Sequence, residues 1–512
     1  MSRRPLLTVL LCGLLAVAPS AVAEDLPEFA TPPTMTDADK TTAISGPATA
    51  LASGNVQQAG DQLFALIGDP SKAPVHGAAW AMLAGLYEKQ GLSIPATLAW
   101  SKALELDPTA YGDKVLHAAE LAAKTGDDGP LAPVLGNNVA LAKDGASRNE
   151  LARIAGRYHL RQGNYGPALG ALLMGDKDAP GFADVELLRG IVLAQQQRYA
   201  DAIAPLLTAQ TAAAAQPDGA ELAEAATLNV ARAYYADEKW GQSILWYAKI
   251  PRSSDHWLEA QFERAWAHFR AEDMNGTLAL LMNHGAPYFD DWYFPEQDLL
   301  RAYAMFLICK FPDASREMDA FAEKYAKVQG ELDEVGGMSA AEAFDDVKAF
   351  RAGDRTRIPG YVLLPFRTED RFGEALRFVD VADAELAQVD GVPGLAGSEA
   401  RKMIEGRRDA RIEEEGQRVV SKMEGARTEL ADMLQSIEIT KLDLLSLEQQ
   451  MYERAAATGV LDQGSGREKR DKKARKGFRE WEWQGEYWAD ELGWYVMNTT
   501  PECPAALTKG GG

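Results

Sequence analysis

The six histidines are the side chains of this sequence best suited to catalysis or metal binding near neutral pH. No two of them are four residues apart, the spacing that places two imidazoles on one helical face. The sequence also has no glycine-rich phosphate loop, no nucleophile elbow and no cluster of zinc-binding residues. Asp290 and Asp291 are adjacent, so on an extended segment they point in opposite directions and make a poor acid–base pair. We therefore expect no enzymatic activity, no cofactor and no metal site.

Cysteine is rare in this chain, with three residues in 512. This number argues against an iron–sulfur protein, a zinc-finger array or a disulfide-rich scaffold. Cys12 lies in the leader described next, which leaves Cys309 and Cys503. In an oxidising compartment these two form a disulfide, or they are two separate buried thiols.

The first 23 residues have the pattern of a secretory signal peptide, followed by an N-terminal linker at 24–39. Arg3 and Arg4 form a positive region, an apolar stretch follows, and residues 21–23 (Ala-Val-Ala) form a cleavage site. No later run reaches ~18 apolar residues, so no transmembrane segment is predicted. The leader predicts an exported, periplasmic protein. A net charge of −22 disfavours nucleic acid as a partner.

Residues 80–108 carry small and aromatic side chains at the spacing of two antiparallel helices. Trp80, Ala84 and Tyr87 share one face of the first predicted helix, and Trp100 lies on the second. This pattern resembles the tetratricopeptide repeat (TPR), in which small residues let the two helices approach closely. Similar patterns recur downstream, mostly every 34–37 residues. They predict about eight hairpins over 40–328, stacked into an all-α, right-handed solenoid.

In such a solenoid, the first helix of each hairpin lines a concave groove. Arginine and aromatic residues lie between the signature positions of several predicted first helices, and both types are common in protein interfaces. The sequence predicts that this stripe binds proteins or peptides in the groove, or that it packs against another part of the same chain. The predicted partner-binding residues are Arg153, Arg157, Arg232, Tyr235, Phe262, Trp266, Phe269, Tyr303 and Phe306.

The repeat pattern fades after residue 328. A connecting region with short helices, including one at 370–389, is predicted for 329–397, and a coiled coil for 398–457. Ten of twelve heptad seam positions are apolar, and the exceptions are Gly416 and Thr440. The sequence leaves three arrangements open: pairing with the preceding helix, folding on the solenoid, or forming a homodimer.

A flexible basic segment is predicted at 458–480. Eight of the thirteen residues at 467–479 are Lys or Arg. They contact an anionic surface such as lipid, cell-wall polymer or an acidic partner, or they are solvated and neutralised by the acidic surface of the chain itself. The basic patch consists of Arg467, Lys469, Arg470, Lys472, Lys473, Arg475, Lys476 and Arg479.

The C-terminal region, 481–512, is rich in tryptophan. Trp481 and Trp483 alternate as in a strand, whereas the apolar residues of 487–495 fit a helical face better. So many aromatic side chains need burial or a partner. We expect a small module that docks on the rest of the chain, with an exposed partner-binding peptide as the alternative.

Two segments carry a further resemblance. Residues 293–325 and 485–495 are similar to exported TPR proteins of deltaproteobacterial envelopes, some of which belong to gliding-motility machinery. This resemblance implies a periplasmic scaffold that binds other proteins of an envelope complex. The alternative function is binding to cell wall or an anionic surface through the basic patch.

Overall fold

The computed structural model describes residues 34–131, 133–135, 139, 142–289, 292–458 and 483–503. The predicted signal peptide, the basic patch and Trp481 lie outside these residues. The described residues form an all-α, TPR-like structure with many helical hairpins and one long C-terminal helix, which confirms the predicted fold class. No β-strand occurs among them.

Eighteen described helices have eight or more residues. The hairpin region contains α1 (Asp37–Ala52), α2 (Val56–Gly68), α3 (His76–Lys89), α4 (Ser93–Leu106), α5 (Val115–Thr125), α6 (Gly145–Arg161), α7 (Tyr165–Leu172), α8 (Phe182–Gln195), α9 (Tyr199–Ala214), α10 (Ala220–Ala236), α11 (Trp240–Tyr247), α12 (Trp257–Arg270), α13 (Met274–Leu281), α14 (Pro295–Leu307) and α15 (Phe311–Glu334). The remaining three are α16 (Ala340–Ala352), α17 (Asp370–Val389) and α18 (Gly394–Thr458).

A left-handed backbone residue marks the turn that ends the first helix of each hairpin. Reversal of the chain in so few residues requires a positive φ, which glycine adopts without steric cost. Four turns use glycine and four use a larger residue. They are Gly54, Gly91, Gly126, Gly163, Gln197, Glu238, Glu272 and Cys309. Successive turns are therefore 34–41 residues apart, and the longest interval contains the Ala-rich stretch before α10.

The chain divides into two compact units. The first unit contains residues 1–226, 339–348 and 368–419, and the second contains 227–338, 349–367 and 420–512. Each unit therefore combines hairpins with later segments of the chain. Among the described helices, none is long and apolar enough to cross a membrane.

In the first unit, α17 and the start of α18 pack into the apolar core of the hairpins. Phe378 of α17 and Ala396 of α18 belong to the same buried cluster as Tyr87. The hydroxyl of Tyr87 donates to the carbonyl of Ala396 at 3.2 Å. The carboxylate of Glu385 accepts the backbone N–H of Ser93 at 2.7 Å, and so caps the start of α4. These contacts keep the two later helices against the hairpins.

The predicted coiled-coil seam of α18 is used inside the chain. Val419 is buried in the first unit, and Met423, Leu430, Ile437 and Leu444 are buried in the second. Within the second unit, the Lys441 ammonium lies 2.8 Å from the Asp319 carboxylate of α15. The sequence left three arrangements open. In the first unit α18 pairs with the preceding helix α17, where Arg371 donates to Glu415 at 2.8 Å, and in the second unit α18 folds on the hairpins. The homodimer stays a prediction.

The predicted helical face at 487–495 is wrong. Residues 489–493 form turns, and the described residues around them have no helix. Gly485 and Gly493 have φ angles of 104° and 87°, which an α-helix does not allow. The aromatic residues of this segment therefore reach the surface from an extended chain.

Candidate protein-interaction surface

The two arginines predicted to form a basic spot are paired with carboxylates of the first unit. Arg153 donates to Glu150 through Nε at 2.9 Å and through Nη2 at 2.7 Å. Arg157, one helical turn later, donates to Asp128 at 2.6 Å and lies 3.8 Å from Glu374 on α17. These pairs neutralise the positive charge that was expected to face a partner.

Arg232 on α10 is held by two carboxylates of α12. Its guanidinium donates to Glu263 through Nη2 at 2.6 Å and to Glu259 at 2.8 Å. Burial alone would lower the pKa of Arg232, but the two carboxylates raise it above its usual value. Because both carboxylates belong to the next hairpin, this ion pair connects consecutive first helices.

Two aromatic residues of the predicted stripe pack against their own chain. Phe262 is 4% exposed, and its ring centroid lies 5.9 Å from that of His284 and 5.8 Å from that of Phe294. The hydroxyl of Tyr303 lies 2.6 Å from the hydroxyl of Ser436 on α18. Both placements follow the interpretation in which the stripe packs internally.

The other four aromatic residues of the stripe are half-buried, and each has an aromatic neighbour. The ring pairs are Tyr235 with Trp240 at 5.1 Å, Trp266 with Phe269 at 5.5 Å, and Phe306 with Phe311 at 5.9 Å. Burial raises the pKa of Tyr235 to about 12, so its hydroxyl stays neutral at physiological pH. These rings retain some accessible surface, whereas Phe262 retains almost none.

The C-terminal residues 483–503, here called the strap, pack along the second unit. Leu492 is 6% exposed and joins a cluster that contains Trp257, Leu258 and Ala286. The backbone N–H of Gly493 donates to the side-chain oxygen of Asn283 at 2.6 Å. The buried leucine therefore anchors the middle of the strap.

The end of the strap is fixed covalently. The sulfur atoms of Cys309 and Cys503 are 2.08 Å apart, in a disulfide that connects residues 194 positions apart in the sequence. Next to it, the backbone N–H of Glu502 donates to the carbonyl of Ile308 at 2.9 Å. The ammonium of Lys310 lies 2.5 Å from the Glu502 carboxylate. Three kinds of contact thus hold the strap at the turn between α14 and α15.

Large aromatic side chains of the strap remain exposed to water. Trp488 is 59% exposed, Trp494 55% and Trp483 46%. Tyr288 is 58% exposed and precedes Phe289, and Trp292 is 39% exposed and stacks on Phe294 at 5.8 Å. Both phenylalanines pack against the same cluster as Leu492. We use the name aromatic face for these five exposed side chains, which the strap and the loop before α14 carry.

Two half-buried tyrosines of the strap pack against each other, and one of them contacts Trp483. The ring of Tyr487 contacts Trp483 at a centroid distance of 5.6 Å and Tyr495 at 6.1 Å. Burial raises the pKa of Tyr495, and the nearby carboxylate of Glu491 raises it further. Trp483 is therefore packed on one of a pair of tyrosines, and a carboxylate lies close to Tyr495.

The described residues contain no group of three or more His, Cys, Asp or Glu side chains that could hold a metal ion. A cavity of about 560 Å³ in the first unit has mostly apolar walls, which include Trp80, Leu98 and Met403. The hydroxyl of Ser101 at this cavity is bonded to the carbonyl of Pro130. The expectation that the chain is not an enzyme stays a prediction.

The sequence contained a signal for the aromatic face, but the signal was incomplete. The density of tryptophan near the C-terminus, together with Cys503, indicated a docked or partner-binding segment. Which tryptophans face water depends on Leu492, Gly493 and Asn283, and no sequence period marks these three residues as anchors. Asp290 and Asp291 lie outside the described residues.

No protein-family model and no curated protein sequence matches the chain. Among solved structures, the chain is similar to one from "Crystal structure of APC/C hetero-tetramer Cut9-Hcn1", with 12% sequence identity. The match covers 78% of this chain and 96% of that chain, with a TM-score of 0.18. A TM-score this low supports no inference about function.

Proposed function

We propose that this protein is a non-catalytic scaffold of a bacterial cell-envelope assembly and that it binds a protein partner through the aromatic face. The observation that carries this proposal is the exposure of Trp483, Trp488 and Trp494 on a strap that is fixed to the second unit. A TPR-like fold favours a protein-interaction scaffold. The signal-peptide pattern favours export, and a disulfide suits an oxidising compartment. The envelope resemblance of residues 293–325 makes motility machinery one candidate assembly.

Trp488 and Trp494 each leave more than half of their surface in water, so burying them against a partner would give a favourable free energy. Large apolar patches on a protein surface mark interaction sites, and tryptophan is enriched among the residues that contribute most to binding. Because the strap is already held by its anchors, the strap itself loses little conformational entropy when a partner docks on it. The predicted groove stripe is a weaker candidate, since Phe262 is buried and Arg232 is paired inside the protein.

Replacing both Trp488 and Trp494 by Ser should lower the recovery of the cross-linked envelope partner by at least about tenfold, because two exposed anchor rings are lost. The measurement is quantitative mass spectrometry after affinity purification of the tagged, full-length protein from a cross-linked envelope fraction. The matched control is Leu173→Ser. Leu173 is 66% exposed in the first unit, so this change also removes an exposed apolar side chain but should leave recovery unchanged.

Two further variants separate the alternatives. The first is a triple variant in which Ala replaces Trp266, Phe269 and Tyr303. If this variant abolishes recovery of the partner and the double tryptophan variant does not, the partner binds in the groove. The second variant lacks residues 467–479. If the natural protein sediments with sacculi or anionic vesicles in a salt-sensitive way, and only this deletion abolishes the sedimentation, the surface-binding function replaces our proposal. Export itself is tested by fractionation, with recovery of the mature protein in the cytoplasm as the contradicting result.

A further inference from the structure

Several hydrogen bonds hold the end of the strap by its backbone. The side chain of Asn275 makes two hydrogen bonds with the backbone of Thr499: its Nδ2 donates to the Thr499 carbonyl at 3.2 Å, and its Oδ1 accepts the Thr499 N–H at 2.8 Å. The Gly493 and Glu502 N–H groups donate to Asn283 and to the Ile308 carbonyl. Contacts of this kind recognise an extended chain and place little restriction on its side chains.

Side chains along the strap alternate as they do in an extended chain. Residues 494, 496, 498 and 500 are exposed, whereas 493, 495, 497 and 499 are half-buried. Leu492 lies in the turn at 489–493, which precedes the extended stretch. Tyr495 packs against the same buried cluster as Leu492, and Met497 packs beside Leu278 and Ile308. The surface under the strap thus accepts a leucine from the turn and alternate side chains from the extended stretch that follows.

The two sulfurs of the disulfide differ in accessibility. Cys309 lies in the turn between the end of α14 and the start of α15. Cys309 is 9% exposed, whereas Cys503 is half-buried, so an attacking thiolate reaches the sulfur of Cys503 more easily. Attack there makes Cys309 the leaving thiolate in thiol–disulfide exchange.

We propose that the strap is a displaceable occupant of an extended-peptide site, released by thiol–disulfide exchange at Cys503. The occupant that replaces it is a segment of a partner protein that carries an apolar residue at the position of Leu492 and continues as an extended chain past the position of Met497. This inference goes beyond the proposed function, because it concerns the surface beneath the strap and not the aromatic face.

The release step needs a dithiol. One thiolate of the dithiol attacks the sulfur of Cys503, so that a new S–S bond forms, the bond to Cys309 breaks, and Cys309 leaves as a thiolate. The second thiol of the dithiol then attacks the other dithiol sulfur, which is bonded to Cys503 in the mixed disulfide. The dithiol ends as a disulfide, two electrons pass to the protein, and Cys503 leaves as a thiolate that takes up a proton.

The first test uses the unmodified full-length chain with and without dithiothreitol as the dithiol. Amide hydrogen exchange across residues 493–502 should become at least about tenfold faster after reduction, because the strap then opens locally. Exchange in α3 and α4 of the first unit should not change, and these helices serve as the internal control. Unchanged protection of 493–502 in the fully reduced protein would overturn the release step.

The second test measures peptide binding by fluorescence anisotropy. The probe is a labelled synthetic peptide of residues 490–503 with Ser in place of Cys503. The full-length variant Leu492→Asp with Cys503→Ser, whose own strap is weakened, should bind the peptide saturably, and the oxidised natural protein should not. Adding Asn275→Ala should weaken binding by at least about fivefold, since two hydrogen bonds are lost.

A control peptide with Asp at position 492 should not bind, because its apolar anchor is gone. If the variant shows a free strap by hydrogen exchange but binds no peptide, the surface is not an extended-peptide site. If the control peptide binds as well as the probe, the contact is nonspecific and the proposal also fails. Neither result depends on the aromatic-face experiment, so the two proposals fail separately.

Discussion

Replacing Glu415 by Gln should lower the free energy of unfolding of the first unit by about 3–5 kcal/mol, because the change removes the buried carboxylate of the cluster and leaves the buried guanidinium of Arg411 with only the Glu414 carboxylate, at 3.7 Å. Glu415 on α18 is fully buried. Its Oε1 accepts from Arg371 at 2.8 Å and its Oε2 accepts from Arg418 at 2.8 Å. The guanidinium of Arg411, which is 3% exposed, lies 3.4 Å away. Glutamine keeps the shape of the side chain but removes the charge shared by all three.

The neighbouring residue provides a matched control. Glu414 is 39% exposed, and its shortest ion pair, with Arg371, is 3.5 Å long. Glu414→Gln should therefore change the free energy of unfolding by no more than about 1 kcal/mol, as for other exposed ion pairs. Urea unfolding followed by circular dichroism measures both variants. Equal stabilities of the two would show that the buried cluster contributes no more than a surface pair.

The effect of Glu415 should depend on pH in a definite direction. Burial would raise the pKa of Glu415, but Arg371, Arg411 and Arg418 outweigh it and hold the pKa below the usual value of 4.5. Because the pKa is lower in the folded protein, the ionised carboxylate stabilises the fold above the pKa of the unfolded chain. That contribution is lost as the pH falls through the pKa of the folded protein. The difference between natural protein and variant should be complete at pH 7 and shrink below about pH 4.5.

Local residue patterns predicted the hairpins well. The buried Ala84 and Ala96 and the aromatic residues around them specify close helix pairs, and this information lies within each repeat. The conformation of the turns was harder to predict. Glycine at positions 91 and 163 predicts a left-handed residue, but Glu238 and Cys309 adopt φ angles of 58° and 59° although they are not glycine. At those turns the packing of the two helices imposes the backbone conformation, which intrinsic preference does not reveal.

The candidate surface was harder to predict, because its character depends on contacts between residues far apart in sequence. An aromatic stripe on a helix looks the same whether it meets a partner or its own chain. Tyr303 contacts Ser436, which is 133 residues later, and Asn275 holds Thr499, which is 224 residues later. No periodic pattern encodes such pairings. The exposed Trp488 and Trp494 are consequences of where those contacts place the strap.

The heptad pattern of α18 shows the same limit at Gly416, which interrupts the apolar seam. In the structure α18 approaches the start of α16 closely at Gly416. A Cβ atom at this position would lie 1.9 Å from the carbonyl oxygen of Ala340 and 2.5 Å from its carbonyl carbon. A backbone atom cannot move aside as a flexible side chain can. Gly416 is therefore part of the seam, and the backbone of Ala340 occupies the space that a side chain would fill.

Gly416→Ala should lower the free energy of unfolding of the first unit by about 2 kcal/mol or more, because α16 and α18 must separate to admit the methyl group. Gly406→Ala is the matched control. Gly406 lies in the same helix, and a Cβ atom there would have no neighbour within 4 Å. Alanine at 406 should stabilise the unit by about 0.5–1 kcal/mol, since it has the higher helix propensity. Urea unfolding measures both variants. Changes of opposite sign in the free energy of unfolding would establish that the helix contact requires glycine. Stabilisation by both alanines would mean that α16 does not press on α18 at this point.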